Sequence, residues 1–537
     1  MTDAAPDFSS MSKSELVRAL KARDRELEQR DRALQKRDRA IEKKEVRIAL
    51  LEEQLRLLRT QKYGKRSEVS NDPQADLFNE AEVLADAAPE DDVTETITYT
   101  RKKPVKGRRP LPEDLPREVI EHDLTEAEKQ CDCGCQKDRI GESVSERLEY
   151  IPAKLYVERH VRYKYACRAC EAGVQTAPVP PSLLPKSNVG PGLLAFIIIA
   201  KYQDSLPLYR LEQIFHRHGV DLPRNTLASW VIRASDAMIP VLERFESAMQ
   251  QSAVVLMDET PIQVNREPDR EAHQKSQMWI RRGLSPPGRA GPTGHDITLF
   301  HYSADRKGQT AADLLAGCTG ALMTDGYAGY YEAARVHGLQ HAQCWAHARR
   351  KFVEAEKALP KGKKSPFITG VLGQIRKLYV IERRMQSADP EQRLATRQTE
   401  SIKVLERLKQ LLDGKANQVP PKSGLGKAIA YALKHWPGLT VFTANGTIPI
   451  DNNGAENGIR PFVVGRKNWL FADTPSGAKA SARWYSIIET AKAAGLEPYH
   501  YLRYLFARLP AAKTDDEVDQ LMPWCVSQSD LESGAVP

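Results

Sequence analysis

Three carboxylates stand where the chain pattern leaves reactive groups at the ends of regular elements. Asp258 closes the apolar run AVVLMDET. Asp325 follows the apolar run in GALMTDGYAGY. Glu456 lies in IDNNGAENGIRPFVVGRKNWLF, at the start of a helical pattern. All three sit beside small residues. Three converging carboxylates can hold two divalent cations roughly 4 Å apart, one activating a water or a 3′ hydroxyl and the other steadying a leaving oxygen at phosphorus. Magnesium or manganese suits such a set, because hard oxygen ligands and retained waters satisfy these ions. An Asp after a strand also serves simply as a helix cap or turn former. Glu259, Asp451 and Glu489 are the nearest competitors, with Asp451 placed to cap the helix that carries Glu456.

Basic residues cluster around the last carboxylate. Arg460, Arg466 and Lys467 follow Glu456 closely. In a helix Arg460 lies one turn on, at i+4, which fits either a phosphate-handling face or an intrahelical ion pair. The stretch CWAHARRKF adds Cys344 and His347 together with Arg349, Arg350 and Lys351. It reads as half of a zinc site or as a packed helix start with a basic face.

A second chemistry belongs to the cysteines. Cys131, Cys133 and Cys135 sit in CDCGC, and Cys167 and Cys170 sit in CRAC. Two clusters separated by a loop have the spacing of a four-thiolate tetrahedral site for structural zinc. The first cluster offers three thiols for two places, so four of these five bind. No nearby His or Glu pattern completes an open, catalytic zinc. Free cysteines are the plain alternative.

Positioning elements follow from periodicity. LPLYRLEQIFHRHGVDLPRNTLASWVIRASDAM carries a helix, a turn at His218–Gly219 and a second helix. Arg224, Asn225, Thr226 and Ser229 lie at the N-terminal end of that second helix, where a helix-turn-helix presents polar side chains to base edges. An α/β pattern begins at Ala253, with strands expected over Ala253–Met257, Met278–Arg282, Ile297–Tyr302 and Ala321–Thr324. SERLEYIPAKLYVERHVRYKYAC alternates apolar and polar residues and suits a hairpin. Upstream, Leu20, Leu27, Leu34, Ile41, Ile48 and Leu55 repeat every seven residues. They mark a helix about 70 Å long. Its second core row reads Leu16, Arg23, Arg30, Arg37, Lys44, Leu51, Leu58, apolar at the ends and basic in the middle. This favours a self-association helix of the coiled-coil kind with a weak centre; the charged row alternatively tracks DNA phosphates.

The division expected is a helix over 1–68, a charged linker over 69–111 and a zinc-binding module over 112–185. A helix-turn-helix over 186–245, a catalytic core over 246–510 with a helical insertion at about 349–435, and a tail over 511–537 complete it. The whole is multidomain α+β. Composition agrees: 537 residues, 41% hydrophobic and 28% charged, make a folded chain with a large core and exclude a wholly disordered one. The net charge of +8 favours an anionic partner such as nucleic acid. The longest apolar run, Gly192 to Ala200, is far short of the roughly 20 residues of a spanning helix. No signal peptide opens the chain, so a cytoplasmic protein without a membrane partner is expected.

The motifs together resemble one family. The leucine helix, CDCGC with CRAC, LPLYRLEQIF, VVLMDET, MTDGYAGY, QCWAHARRKF, DNNGAENGIRP, GRKNWLF and YSIIETAKAAGLEPYHYL occur in the order of the large catalytic subunit of insertion sequence 66 transposases. The resemblance implies a DDE-type transposase with a ribonuclease H-like core, in which Asp258, Asp325 and Glu456 match the acidic triad. It implies binding of terminal inverted repeats, cleavage of element ends and joining of 3′ hydroxyls to target DNA, with small accessory proteins of the same element as possible partners. Cys344 and His347 match a Cys-x-x-His signature found after the second Asp in related transposases. The first cysteine cluster departs from the family's Cys-x-x-Cys pair. The other readings are a zinc-dependent DNA-binding regulator and a nuclease without strand transfer.

Overall fold

The computed structural model describes residues 12–63, 155–166, 174–176, 181–284, 294–360 and 362–533. Two compact units divide the chain, Met1–Ala88 with Pro180–Pro537, and Pro89–Val179. The five zinc-candidate cysteines, Cys131, Cys133, Cys135, Cys167 and Cys170, lie outside the described residues.

In the smaller unit, β1 (Lys164–Ala166) pairs antiparallel with β2 (Val174–Thr176). Among the described residues of SERLEYIPAKLYVERHVRYKYAC the strand lies at Lys164–Ala166, and its partner lies beyond Cys170. Residues 155–163 carry no strand among the described residues, and Tyr156, Val157 and Tyr163 are exposed. Alternation marks a strand surface without naming its partner.

The larger unit is built on a five-stranded sheet in the order β5-β4-β3-β6-β7. These strands are β3 (Val254–Gln263), β4 (Lys275–Leu284), β5 (Ile297–Ser303), β6 (Ala321–Thr324) and β7 (Gln340–Gln343). β3 is antiparallel to β4, and β4 to β5, while β3–β6 and β6–β7 are parallel. All four strands expected from sequence are present, β3 and β4 longer than periodicity marked. Val254–Met257, Ala321–Thr324 and Met278–Arg281 are buried, as strands covered on both faces must be.

Helices surround the sheet. Before it come α2 (Pro191–Tyr202), α3 (Leu208–Arg217), α4 (Arg224–Ala237) and α5 (Ile239–Gln250). Within it lie α6 (Gly308–Leu314) and α7 (Ala328–His337). Between β7 and the Glu456 helix run α8 (Trp345–Lys357), α9 (Pro366–Arg384), α10 (Pro390–Thr396), α11 (Ile402–Ala416), α12 (Gly424–Lys434) and α13 (Trp436–Thr440). Then follow α14 (Asn453–Trp469), α15 (Pro475–Ala493), α16 (Pro498–Arg508), α17 (Asp515–Asp519) and α18 (Gln528–Ser533). The stretch read as a tail after residue 511 packs instead: Val518, Leu521, Met522, Val526 and Leu531 are buried, and Arg244 of α5 binds Asp519 at 2.9 Å.

α15 closes the exposed edge of the sheet. Ser486 Oγ accepts from Phe300 N at 2.7 Å, and Thr490 Oγ1 accepts from Thr298 N at 3.1 Å and donates to Thr298 O at 3.0 Å. Residues four apart on a helix face one way, so two hydroxyls satisfy strand groups that would otherwise invite another strand. α14 lies across β3 and β4. A Cβ on Gly454 would stand 2.8 Å from Leu256, and one on Gly458 would stand 2.8 Å from Ile280. The glycines at i and i+4 therefore let this helix approach the sheet.

Upstream, α1 (Lys13–Tyr63) is one continuous helix. Its heptad seam is open to solvent, with Leu20, Leu27, Leu34, Ile41, Ile48 and Leu55 all half exposed or more. Near its C-terminal end, Glu53 accepts from Gly424 N at 2.9 Å and Arg56 donates to Ala358 O at 3.1 Å. No helix of the described residues is long and apolar enough to cross a membrane.

Candidate active site

Asp258 and Asp325 reach the same level of the sheet by strand register. β3 and β6 pair in parallel from Val254 with Ala321 to Leu256 with Met323. Asp258 stands two residues beyond Leu256 within β3, and Asp325 stands two residues beyond Met323, just past the end of β6. Asp258 Oδ1 accepts from Glu259 N at 2.9 Å. Asp325 Oδ1 accepts from Tyr327 N at 2.8 Å, so this carboxylate also shapes the turn into α7. Gly326 beside it is required by close approach: a Cβ there would meet the His435 ring at 2.9 Å and the Tyr431 hydroxyl at 3.0 Å.

Glu456 comes from the first turn of α14, where a helix favours negative charge. It is 2% exposed. Asn452, at the N-cap, donates through Nδ2 to Met257 O at 3.0 Å. The turn before Glu456 is thereby tied to the residue before Asp258. Cys344 accepts from Asn452 N at 3.2 Å, and Trp345 N donates to Ile450 O at 3.2 Å, which fixes the start of α8 against the same turn. The first two turns of α8 bring His347 Nδ1 to 3.4 Å from Glu456 Oε1, and Arg350 Nη2 to 3.5 Å from Oε2.

The electrostatics are those of negative charges brought together away from water. Burial pushes the Asp258 carboxyl well above the usual range, and Glu259, Glu456 and Asp325 push it further. Burial also raises Glu456, against the pull of Arg350. Glu456 Oε1 and His347 Nδ1 are buried without a hydrogen bond. Burial and Arg350 hold the His347 imidazole down at about 4, so it is neutral near pH 7.

The competing carboxylates have other employment. Glu259 accepts from Arg306 Nε at 2.6 Å and from the Tyr330 hydroxyl. Asp451 accepts from Tyr379 at 2.9 Å and from Asn453 N at 3.1 Å, and so builds the turn into α14. Glu489 binds Lys492 at 2.9 Å.

Among the basic candidates, Arg466 donates to Thr260 Oγ1 at 3.1 Å and Lys467 is exposed. Arg460, expected as the close cation at i+4, contributes charge to Glu456, but Arg350 is the stronger influence. Arg224, Asn225 and Ser229 are exposed at the start of α4 and Thr226 is half-buried, while Leu227, Trp230, Val231 and Ala234 anchor that helix. Trp484 Nε1 donates to Val231 O at 3.0 Å. The turn before α4 contains Gly219 at φ +76, a left-handed position that glycine adopts without strain.

Sequence reasoning missed Asn452, Tyr431 and His435 as positioning residues. No spacing signal marks them, because their partners lie on distant segments.

Family models match four stretches of the chain. One described as "Transposase IS66 family" covers residues 186–480, which include all three carboxylates and the elements that carry them. A "zinc-finger binding domain of transposase IS66" covers 128–171, an "IS66 C-terminal element" covers 486–524, and "Transposase C of IS166 homeodomain" covers 50–120. The class is thus that of DDE transposases acting on DNA. The chain belongs to the IS66 transposase family. Among similar proteins of Sinorhizobium fredii, the uncharacterized protein y4jD is 34% identical over 77% of this chain and 81% of its own length. The uncharacterized protein y4hP is 32% identical over 87% of this chain and 86% of its own.

Proposed function

We propose that this chain cleaves the ends of a mobile element at its terminal inverted repeats and joins the freed 3′ hydroxyls to target DNA. The observation that carries the reading is the grouping of Asp258 on β3 and Asp325 just past the adjacent parallel strand β6 with buried Glu456 on the helix that lies across the sheet. A central β3, antiparallel to β4 and parallel to β6, supports a ribonuclease H-like core, with α8 to α13 inserted between the second Asp and the Glu.

The donor set fits two magnesium or manganese ions. It consists of hard carboxylate oxygens, one of them buried without a hydrogen bond, on side chains whose mutual repulsion a divalent cation would relieve. When bound, such ions activate the attacking water or 3′ hydroxyl and stabilise the leaving oxygen. The protein's part is to hold the three carboxylates in register and to set positive charge beside the scissile phosphate. Arg350 is nearest to Glu456; Arg460, Arg466 and Lys467 extend along α14.

Arg224, Asn225, Thr226 and Ser229 would enter the major groove from the start of α4. The module with Cys131, Cys133, Cys135, Cys167 and Cys170, four of them holding zinc, would add to recognition of the ends. The open seam of α1 would pair subunits, since two ends must be held together for joining. Small accessory proteins of the element could complete the assembly. The setting is the bacterial cytoplasm.

The test uses purified protein, labelled DNA carrying the element's ends and a supercoiled target, with and without magnesium. Magnesium-dependent joined products that vanish in Glu456→Gln and Asp258→Ala, with end binding kept, are expected. Cutting that survives in either variant would overturn the assignment. Cut ends that are never joined would leave a nuclease.

A further inference from the structure

Beside the acidic group lies a donor set of a different kind. Cys344 Sγ, a His347 ring nitrogen and a Glu456 carboxylate oxygen all stand within 4.8 Å of one another. Cys344 is the N-cap of α8 and His347 is three residues on, so both face one side of the first helical turn. Glu456 reaches them from the first turn of α14. Its Oε1 is buried, has no hydrogen bond and points at His347 Nδ1, 3.4 Å away.

We propose that Cys344, His347 and Glu456 form a binding site for a transition-metal ion of the zinc class. Magnesium is the wrong occupant here, because a sulfur and an imidazole are poor partners for a hard cation and good ones for zinc or cobalt. The three donors leave the fourth tetrahedral position to water, the pattern of an open site. The sulfur is already oriented by its bond from Asn452 N at 3.2 Å, the kind of outer contact that fixes a metal ligand. Closing the ligands around an ion asks for side-chain shifts of about 1 Å, given metal–ligand bonds of roughly 2.0–2.3 Å. On coordination the Cys344 thiol releases its proton to solvent and binds as thiolate. The positive end of α8 stabilises that thiolate. His347 keeps a partly open side chain, 22% exposed, so an ion has a way in. Metal binding itself needs no catalytic role for Glu456. Its consequence rests on the proposed function: an ion here shares Glu456 with the magnesium pair, and zinc then sets how that carboxylate is presented to the two aspartates.

Cobalt is the probe. The full chain is first loaded with zinc, then treated with a mild chelator to clear weak sites while the Cys131–Cys170 module stays filled, and titrated with Co²⁺. Wild type is expected to take up one cobalt with a thiolate-to-metal charge-transfer band that zinc displaces. Cys344→Ser should lose the band, and His347→Gln should weaken binding by at least roughly tenfold, the loss that even outer partners of a metal cause. His347→Cys should keep the metal and strengthen the band, which a merely structural role for His347 would not produce. Glu456→Gln should bind more weakly with the band retained. Far-ultraviolet circular dichroism checks that each variant is folded. A folded Cys344→Ser protein with the wild-type band and affinity, or a wild type with no band, would overturn the site. Loss of strand transfer with the cobalt site intact would instead count against the proposed function.

Discussion

The side-chain amide of Asn452 donates to the carbonyl of Met257 at 3.0 Å, and this bond joins the helix that carries Glu456 to the strand that carries Asp258. Asn452 is fully buried. Asn452→Ala leaves the Met257 carbonyl without that donor, at a cost of about 1–3 kcal/mol. It is expected to lower the melting temperature and to reduce magnesium-dependent cleavage more than end binding. Chemical denaturation and a cleavage assay check this together. Unchanged cleavage in a destabilised protein would mean that the bond serves the fold alone.

Asp258 makes the stability of the metal-free protein depend on pH. Its folded pKa lies above the unfolded value of about 3.9, so the native state holds its proton longer. Its contribution is complete below that value and is lost as pH rises through the folded pKa. His347 acts in the opposite direction. Its folded value of about 4 lies below the unfolded value near 6.5, so its contribution grows between these two and is complete above them. Comparison of Asp258→Asn with wild type isolates the carboxylate. The variant should gain stability relative to wild type as pH rises above about 4, and added magnesium should shrink the gap. Melting curves across pH measure it, and a gap independent of pH would contradict it.

The start of α4 should read DNA bases. Arg224→Ala and Asn225→Ala are exposed changes, so the fold should be untouched. Each is expected to cost about 1–3 kcal/mol of specific end binding. Competition between end DNA and unrelated DNA at fixed salt measures the loss. An equal loss on both DNAs would assign these residues to phosphates instead.

The leucine seam of α1 should decide the oligomeric state. Leu27 and Leu34 are 51% and 53% exposed, so Leu27→Glu with Leu34→Glu leaves the rest of the chain unstrained. Light scattering should show wild type self-associated and the double variant a monomer. Joining of paired ends should fall with it, while binding of a single end remains. A wild-type monomer would count against the seam.

A branched side chain at Gly458 should disturb the packing of α14 on β4. Its Cβ position is 2.8 Å from Ile280 on β4. Gly458→Val is expected to cost about 1–3 kcal/mol by overpacking and to push Glu456 away from the aspartates. A stable protein with impaired cleavage, partly restored by Ile280→Ala, would support this. Full activity in the single variant would refute it.

The sequence by itself determined the strands and the helix that carry the three carboxylates. Apolar runs such as VVLM and ALMT leave only one kind of element for a covered sheet, and an Asp at or just beyond such a run is placed by its covalent neighbours. The long leucine helix and the α3–Gly219–α4 hairpin were legible for the same reason, because their signals are local and periodic. Tertiary structure alone decided what surrounds Glu456. Arg350 lies 106 residues before it in the chain, yet it, and not Arg460 one turn away, is the strongest opposite charge on that carboxylate. Packing of α8 against the turn at Asn452 sets that distance, together with those of Cys344 and His347. The same packing gave Asp451 and Glu259 the partners Tyr379, Arg306 and Tyr330. Periodicity reports which face of an element is buried. It carries no record of which distant side chain will be waiting there, because that contact exists only when many separate surfaces have closed on one core.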